Sequence, residues 1–230
     1  NNSFSKNEII KISNKLNIHV IPHGNYIPFI NFKYNTLESR NYLGVHKAKN
    51  ILLFFGMIKE VKGLDILLES LDSVLKLHPN TILIIAGKPW KNDFSSYNDI
   101  INKHNLRNNC ILHIRFIPNH EVGYYFTAAD LVILPYKRIY QSGVLMMTLS
   151  YKRPVLVSDL PVFKEIISNK NTGFFFKSEN AASLSMEINR LLANKKILKK
   201  VAKNGAELVE KNYDWNDIGL LSKEIYSTIF

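Results

Sequence analysis

The chain has 230 residues, of which 46% are hydrophobic and 11% aromatic, enough for a proper core and far from the composition of a disordered segment. Apolar runs such as ILLFFGMI are too short to span a bilayer, the opening NNSFSKNEII lacks the apolar centre of a signal peptide, and the single cysteine, Cys110, excludes an internal disulfide framework. The net charge of +11 suits an anionic partner, whether nucleic acid, a membrane surface or a phosphorylated small molecule, with a plain lysine- and asparagine-rich composition as the alternative.

In chain order, IHVIP (18–22) reads as a first strand and ILLFFG (51–56) as a second. The following GLDILLESLDSVLKLH (63–78) sets Leu64, Ile66, Leu67, Leu71 and Leu75 at helical spacing with charges opposite. Strands at TILIIAG (81–87), CILHIRF (110–116), LVILP (131–135), PVLVS (154–158) and GFFF (173–176) alternate with helices over 94–105, 119–129, 143–152 and 161–168. Beyond residue 180 the pattern is wholly helical, over 180–193, 195–211 and 214–228. The strands are near-continuous apolar runs, which marks parallel strands buried on both faces. The expectation is an α/β fold, a Rossmann-like doubly wound parallel sheet with C-terminal helices.

Such sheets bind ligands at the carboxyl ends of their strands. Four junctions fall there: IPHGNY, FFGMIKEVKG, IAGKPW and YQSGVLMM. In the second, Gly56 closes a strand, Lys59 and Lys62 follow, and Gly63 opens a helix. Lysines at a helix start oppose its dipole, so they point to an anion bound there. In the fourth, Gln141, Ser142 and Gly143 open a helix without any acidic residue, again a place for an anion. Neither is a Walker loop or a G-x-G-x-x-G fingerprint.

Taken together and in register, VIPHG, FFGMIKEVKG, IAGKP, FTAADLVILPY, SGVLMMTLSYKRPVLVSD and KEIISNKNTGFFF resemble the C-terminal half of the family 4 retaining glycosyltransferases, over roughly residues 18 to 228. The resemblance implies the C-terminal half of a GT-B fold. Residues 1–17 would then be the tail of an acceptor domain or a linker helix, 18–212 the donor domain, and 213–230 a helix returning to the domain junction. It implies a nucleoside-diphosphate sugar as donor, a UDP-sugar by family frequency, and a glycan or lipid-linked acceptor held by an N-terminal domain. No cofactor or metal is implied, and no D-x-D pair occurs. Bacterial cell-surface polysaccharide synthesis is the expected setting. The expected place is the cytoplasm, peripheral at the inner face of the plasma membrane where the basic charge meets anionic lipid.

By the same resemblance Lys62 contacts the donor diphosphate and, with Tyr140, is a catalytic candidate. Gly56, Lys59, Gly87, Ile117, Gln141, Ser142, Gly143, Val144 and Thr148 complete the nucleotide-holding set. The chain departs from the family in three places. Met57 stands where arginine is usual, and Tyr140 and Thr148 stand where many members carry two glutamates. A threonine offers one neutral oxygen where a carboxylate offers two charged ones to a pair of hydroxyls, so ribose recognition is in question. Two other functions stay open: a GT-B epimerase, which needs carboxylates and histidines in the cleft, and a basic module for nucleic acid, against which the scattered lysines speak.

The remaining conspicuous residues have plainer roles. His23 is expected to shape a hinge, Glu165 to sit in the first turn of its helix, and Trp90 to stack on the surface. Cys110, Met146 and Met147 are expected to pack in the core. His104, His113 and His120 lack metal-ligand spacing. Lys196, Lys199, Lys200 and Lys203 form one side of a helix, a solvated face or a membrane contact.

Overall fold

The computed structural model describes residues 3–12, 18–30, 33–91 and 93–228. Its centre is a six-stranded sheet in the order β3-β2-β1-β4-β5-β6. The strands are β1 (Asn50–Phe55), β2 (Thr81–Ala86), β3 (Cys110–His113), β4 (Leu131–Leu134), β5 (Val155–Ser158) and β6 (Phe174–Phe176), and every pairing is parallel. All six residues of β1 are buried, as the central strand of a two-faced sheet requires.

Alternation along β1 sorts the core into two layers. Leu52 and Phe54 face one, with α3 (Leu64–Leu77), α4 (Ser95–Lys103) and α8 (Ala181–Leu192). Ile51, Leu53 and Phe55 face the other, with α5 (Asn119–Ala128) and α6 (Gly143–Ser150). Next to α5 lies α2 (Thr36–Tyr42), and against α6 runs α9 (Lys195–Asn212). The doubly wound α/β expectation is therefore met, strand by strand, from residue 50 onward.

The stretch 18–22 is not a strand. An apolar run makes a strand only when a sheet edge accepts it, and Pro22 has no N–H to give a ladder. Instead Val20 and Pro22 line a cavity with His23 and Ser142. The helix α2 has no counterpart in the periodicity above, although Asn35 caps it by accepting the N–H of Glu38 at 2.8 Å, with the acidic residue three places on that marks a capping box. Glu165 is also placed differently from expectation. It is the fifth of six residues in α7 (Pro161–Ile166), and its carboxylate accepts the N–H groups of Ser3 and Phe4 at 3.0 and 2.7 Å. It therefore caps the N-terminus of α1 (Ser3–Ile12) rather than its own helix.

Residues 24–26 are tied to the far end of the chain. Asn25 donates its N–H to the Tyr213 carbonyl at 2.8 Å and its side-chain amide to the Val209 carbonyl at 3.1 Å. The Trp215 indole, at the start of α10 (Trp215–Ser227), donates to the Asn25 carbonyl at 2.8 Å. His23 lies between Tyr26 and Trp215, with ring centroids 5.4 and 5.8 Å away, in keeping with a shaping role at this junction.

Candidate functional site

The chain leaves β1 toward β2 and β3, then returns to place β4 on the other side of β1, with Leu52 opposite Leu131. Loops diverging from two adjacent parallel strands open a crevice at their carboxyl ends. Here the loops after β1 and β4 meet. The Lys137 N–H donates to the Val61 carbonyl at 2.9 Å, and a Cβ on Gly63 would lie 1.9 Å from the Pro135 carbonyl oxygen. Gly63 has φ of 65°, so it both turns the chain into α3 and allows this approach.

Lys62 is fixed by the same meeting. Its Nζ donates to the Tyr136 hydroxyl at 2.9 Å and stands 4.4 Å from the centre of that ring, while Tyr136 itself is fully buried. Lys59 stands over the Trp90 ring at 4.4 Å, and Trp90 is half exposed. The Trp90 N–H donates to the Ile58 carbonyl at 2.9 Å, which joins the loops after β1 and β2. Gly87 completes that join, since a Cβ there would lie 1.9 Å from the Gly56 carbonyl oxygen. Met57, between them, is exposed.

The start of α6 faces the same place. Ser142 is buried and its hydroxyl accepts the Leu145 N–H at 3.1 Å, so its side chain is a helix cap rather than a ligand group. The first N–H groups of a helix have no acceptor within it, here those of Gly143 and Val144. A Cβ on Gly56 would meet the Val144 side chain at 3.2 Å, and one on Gly143 would meet the Tyr26 hydroxyl at 3.1 Å. Burial pushes the Tyr26 phenol above its ordinary range. Gln141 and Ser142 line a cavity of about 250 Å³ together with His23, Glu165 and Tyr213.

The structure thus joins Gly56 to Gly87 and to Val144 at the start of α6, and sets Lys62 on Tyr136 after β4; Lys59 and Gln141 line two other cavities, the first with Trp90 and the second with His23. Ile117 lies after β3, buried in the core, so only its backbone is available there. Thr148 does not belong to the set. Its side chain is fully buried and its hydroxyl donates to the Val144 carbonyl at 2.7 Å, as helical threonines do when no other acceptor is near. Tyr140 is half exposed and carries the Arg138 guanidinium over its ring, 5.3 Å from the centroid, with a hydrogen bond between the two.

Two partners escaped the sequence. Tyr136 sits in an apolar strand end and looks like core, and Arg138 looks like an ordinary surface cation. The one available signal was their place, two and four residues after β4 at the edge where ligands bind. His113 at the end of β3 is bonded to the Tyr125 hydroxyl at 2.7 Å, and burial holds its imidazole below the usual range. Cys110 and Met146 are core residues and Met147 packs against the core, as expected.

Residues 35–208 match the family model described as Glycosyl transferases group 1. The chain is 24% identical over 191 residues to spore coat protein SA of Bacillus subtilis (strain 168), which spans 79% of this chain and 49% of that protein. It is 28% identical over 178 residues to a GDP-mannose:glycolipid 4-beta-D-mannosyltransferase of Xanthomonas campestris pv. campestris, over 76% of this chain and 48% of that one. The chain therefore spans about half the length of the curated relatives it matches. Among solved structures, sucrose-phosphate synthase from Thermosynechococcus elongatus superposes with a TM-score of 0.83 at 20% identity, covering 99% of this chain and 57% of that one. HepE from Anabaena, in complex with UDP, gives 0.81 at 19% identity, covering 91% and 57%.

Proposed function

Because the chain belongs to the group 1 glycosyl transferases, we propose that it is the donor-binding domain of a retaining, family 4 glycosyltransferase, taking a sugar from a nucleoside-diphosphate sugar. The observation that carries this is the meeting of the loops after β1 and β4, which holds Lys62 on Tyr136 and brings Gly56 against Val144 at the start of α6. A cation and a helix N-terminus together form a diphosphate cradle. UDP is the nucleotide assigned, and the presence of UDP in the HepE complex, on a similar fold, supports that choice.

When the bond between sugar and diphosphate breaks, negative charge develops on the leaving phosphate. On this reading Lys62 and the amides of Gly143 and Val144 take up that charge, aided by Lys59 and Arg138, and fixed donors of this kind can do so without a metal. Tyr140, flanked by Arg138, is assigned to the sugar side on this reading. The acceptor, a glycan or lipid-linked saccharide of a cell-surface polymer, is assigned to a second domain of the full-length enzyme, which closes over the donor in the cytoplasm. These 230 residues accordingly bind donor and do not transfer sugar.

A thermal-shift panel of UDP, GDP, ADP and their sugars tests the site, since a ligand of the native state alone raises the melting point. A shift with UDP and UDP-sugars is expected. No shift with any of them at millimolar concentration overturns the assignment, and efficient transfer by this chain alone overturns the division between domains.

A further inference from the structure

A further cavity among the described residues lies away from the crevice. It holds about 440 Å³ and lies at the opposite, amino end of the sheet, between the segments that enter β4 and β5 and the outer side of α9. Its floor is apolar, made by Pro154, Leu198, Ala202 and Ala206, and its rim is basic, with Lys152, Arg153, Lys195, Lys199 and Lys203. Three carboxylates share the rim, Asp130, Glu207 and Glu210. Asp130 is already committed: it accepts from Arg40 at 2.8 Å and from the Ile51 N–H at 2.8 Å. Glu207 lies 3.7 Å from Lys203.

Arg153 is the notable group. Its Nη1 reaches only the Ala129 carbonyl, at 3.4 Å, and its Nε is buried without any acceptor among the described residues. Desolvation holds the guanidinium below the usual arginine range, with Asp130 acting in the opposite sense. The fold has thus taken part of this cation out of water with only the nearby charge of Asp130 to offset it, a cost that a bound anion would lower.

We propose that this cavity receives the phosphate headgroup of an anionic lipid, with the exposed lysine face of α9 against the bilayer surface. The basic rim and Arg153 fit the phosphate oxygens, and the exposed lysines of α9 fit the charged surface around them. Lys196, Lys199, Lys200 and Lys203 are all exposed along that one side of α9, so the cations spread over a surface and do not converge on a point. A free phosphate ion would need cations that converge on it. The donor crevice opens at the other end of the strands, so the enzyme would hold both ligands at once.

Vesicle sedimentation tests this with the 230-residue chain. Phosphatidylcholine vesicles containing phosphatidylglycerol should bring the protein down, pure phosphatidylcholine should not, and added salt should release it. Lys199→Gln with Lys203→Gln should weaken binding roughly thirtyfold, whereas Lys103→Gln with Lys223→Gln, an equal loss of charge elsewhere, should change it little. Arg153→Gln should add to the loss, and circular dichroism shows whether that buried site still folds; the exposed lysine pair stands if it does not. Equal losses from both lysine pairs would mean that net charge alone is responsible and would overturn the cavity. Binding to pure phosphatidylcholine, or full competition by millimolar inorganic phosphate, would overturn the lipid.

Discussion

Lys62 and Tyr136 form a closed pair: the ammonium stands over the ring and donates to the hydroxyl of a tyrosine that solvent does not reach. Tyr136 follows β4 and Lys62 follows β1, so the pair sets the lysine at the crevice whichever rotamers it would adopt alone. Charge-assisted hydrogen bonds contribute about 1.5–3 kcal/mol, so Lys62→Ala should weaken UDP binding roughly ten- to a hundredfold by calorimetry. Uridine, without phosphates, should bind as before. Tyr136→Phe keeps the ring and removes the hydroxyl, and its loss should be the smaller of the two. Equal losses for UDP and uridine would make Lys62 a structural residue.

Met57 is exposed beside Gly56, at the position where the resemblance to family 4 leads one to expect arginine. Met57→Arg should tighten UDP binding by about threefold to tenfold, the usual worth of one added charge contact near a surface. Titration against UDP and uridine decides it, and unchanged affinity for UDP would place Met57 outside the phosphate's reach.

Gly63→Ala has two costs: a residue with φ of 65° and a Cβ that would start 1.9 Å from the Pro135 oxygen. Together these should destabilise the fold by about 1–3 kcal/mol and displace Lys62. A lowered melting temperature with weaker UDP binding is expected. A variant with wild-type values on both counts would show that the two loops are not in contact.

Burial pushes the Tyr125 and Tyr151 phenols up to about 12. In the unfolded chain they ionise near pH ~10. Between those values the native state holds protons that the unfolded state has released, so stability falls as pH rises. Denaturant titrations should show full stability below pH 10 and a decline toward 12. Tyr151→Phe keeps the stack on Phe126, at 4.9 Å, and should flatten part of that decline. An unchanged alkaline limb in this variant would count against the burial of Tyr151 as its cause.

Periodicity made the sheet legible from β1 to β6 because each strand is apolar on both faces and its neighbours are helices with one apolar side. It misled at 18–22, where apolar residues line a cavity without a partner strand, and it passed over α2, whose evidence lies in its cap and not in its spacing. Glycine junctions located the crevice, and Gly56, Gly63 and Gly87 have the positive φ values that such positions suggest. What spacing could not convey is which side chains turn away. Thr148 shares its helix with Gly143 but lies on the buried side, and Ser142 spends its hydroxyl on its own helix. Lys62 stands out by its motif, whereas its partner Tyr136, 74 residues later, required the fold.

The hydrogen bond from Trp215 to Asn25 spans 190 positions of sequence. Tyr26, next to Asn25, places its hydroxyl beside Gly143, so one wall of the crevice waits on a helix that is made after β6. Contacts of such separation form late and slowly, because loop closure precedes any gain from them. A nascent chain that has already assembled β1 to β6 therefore still lacks a finished nucleotide site. Binding competence should appear on translation only after Trp215 has emerged.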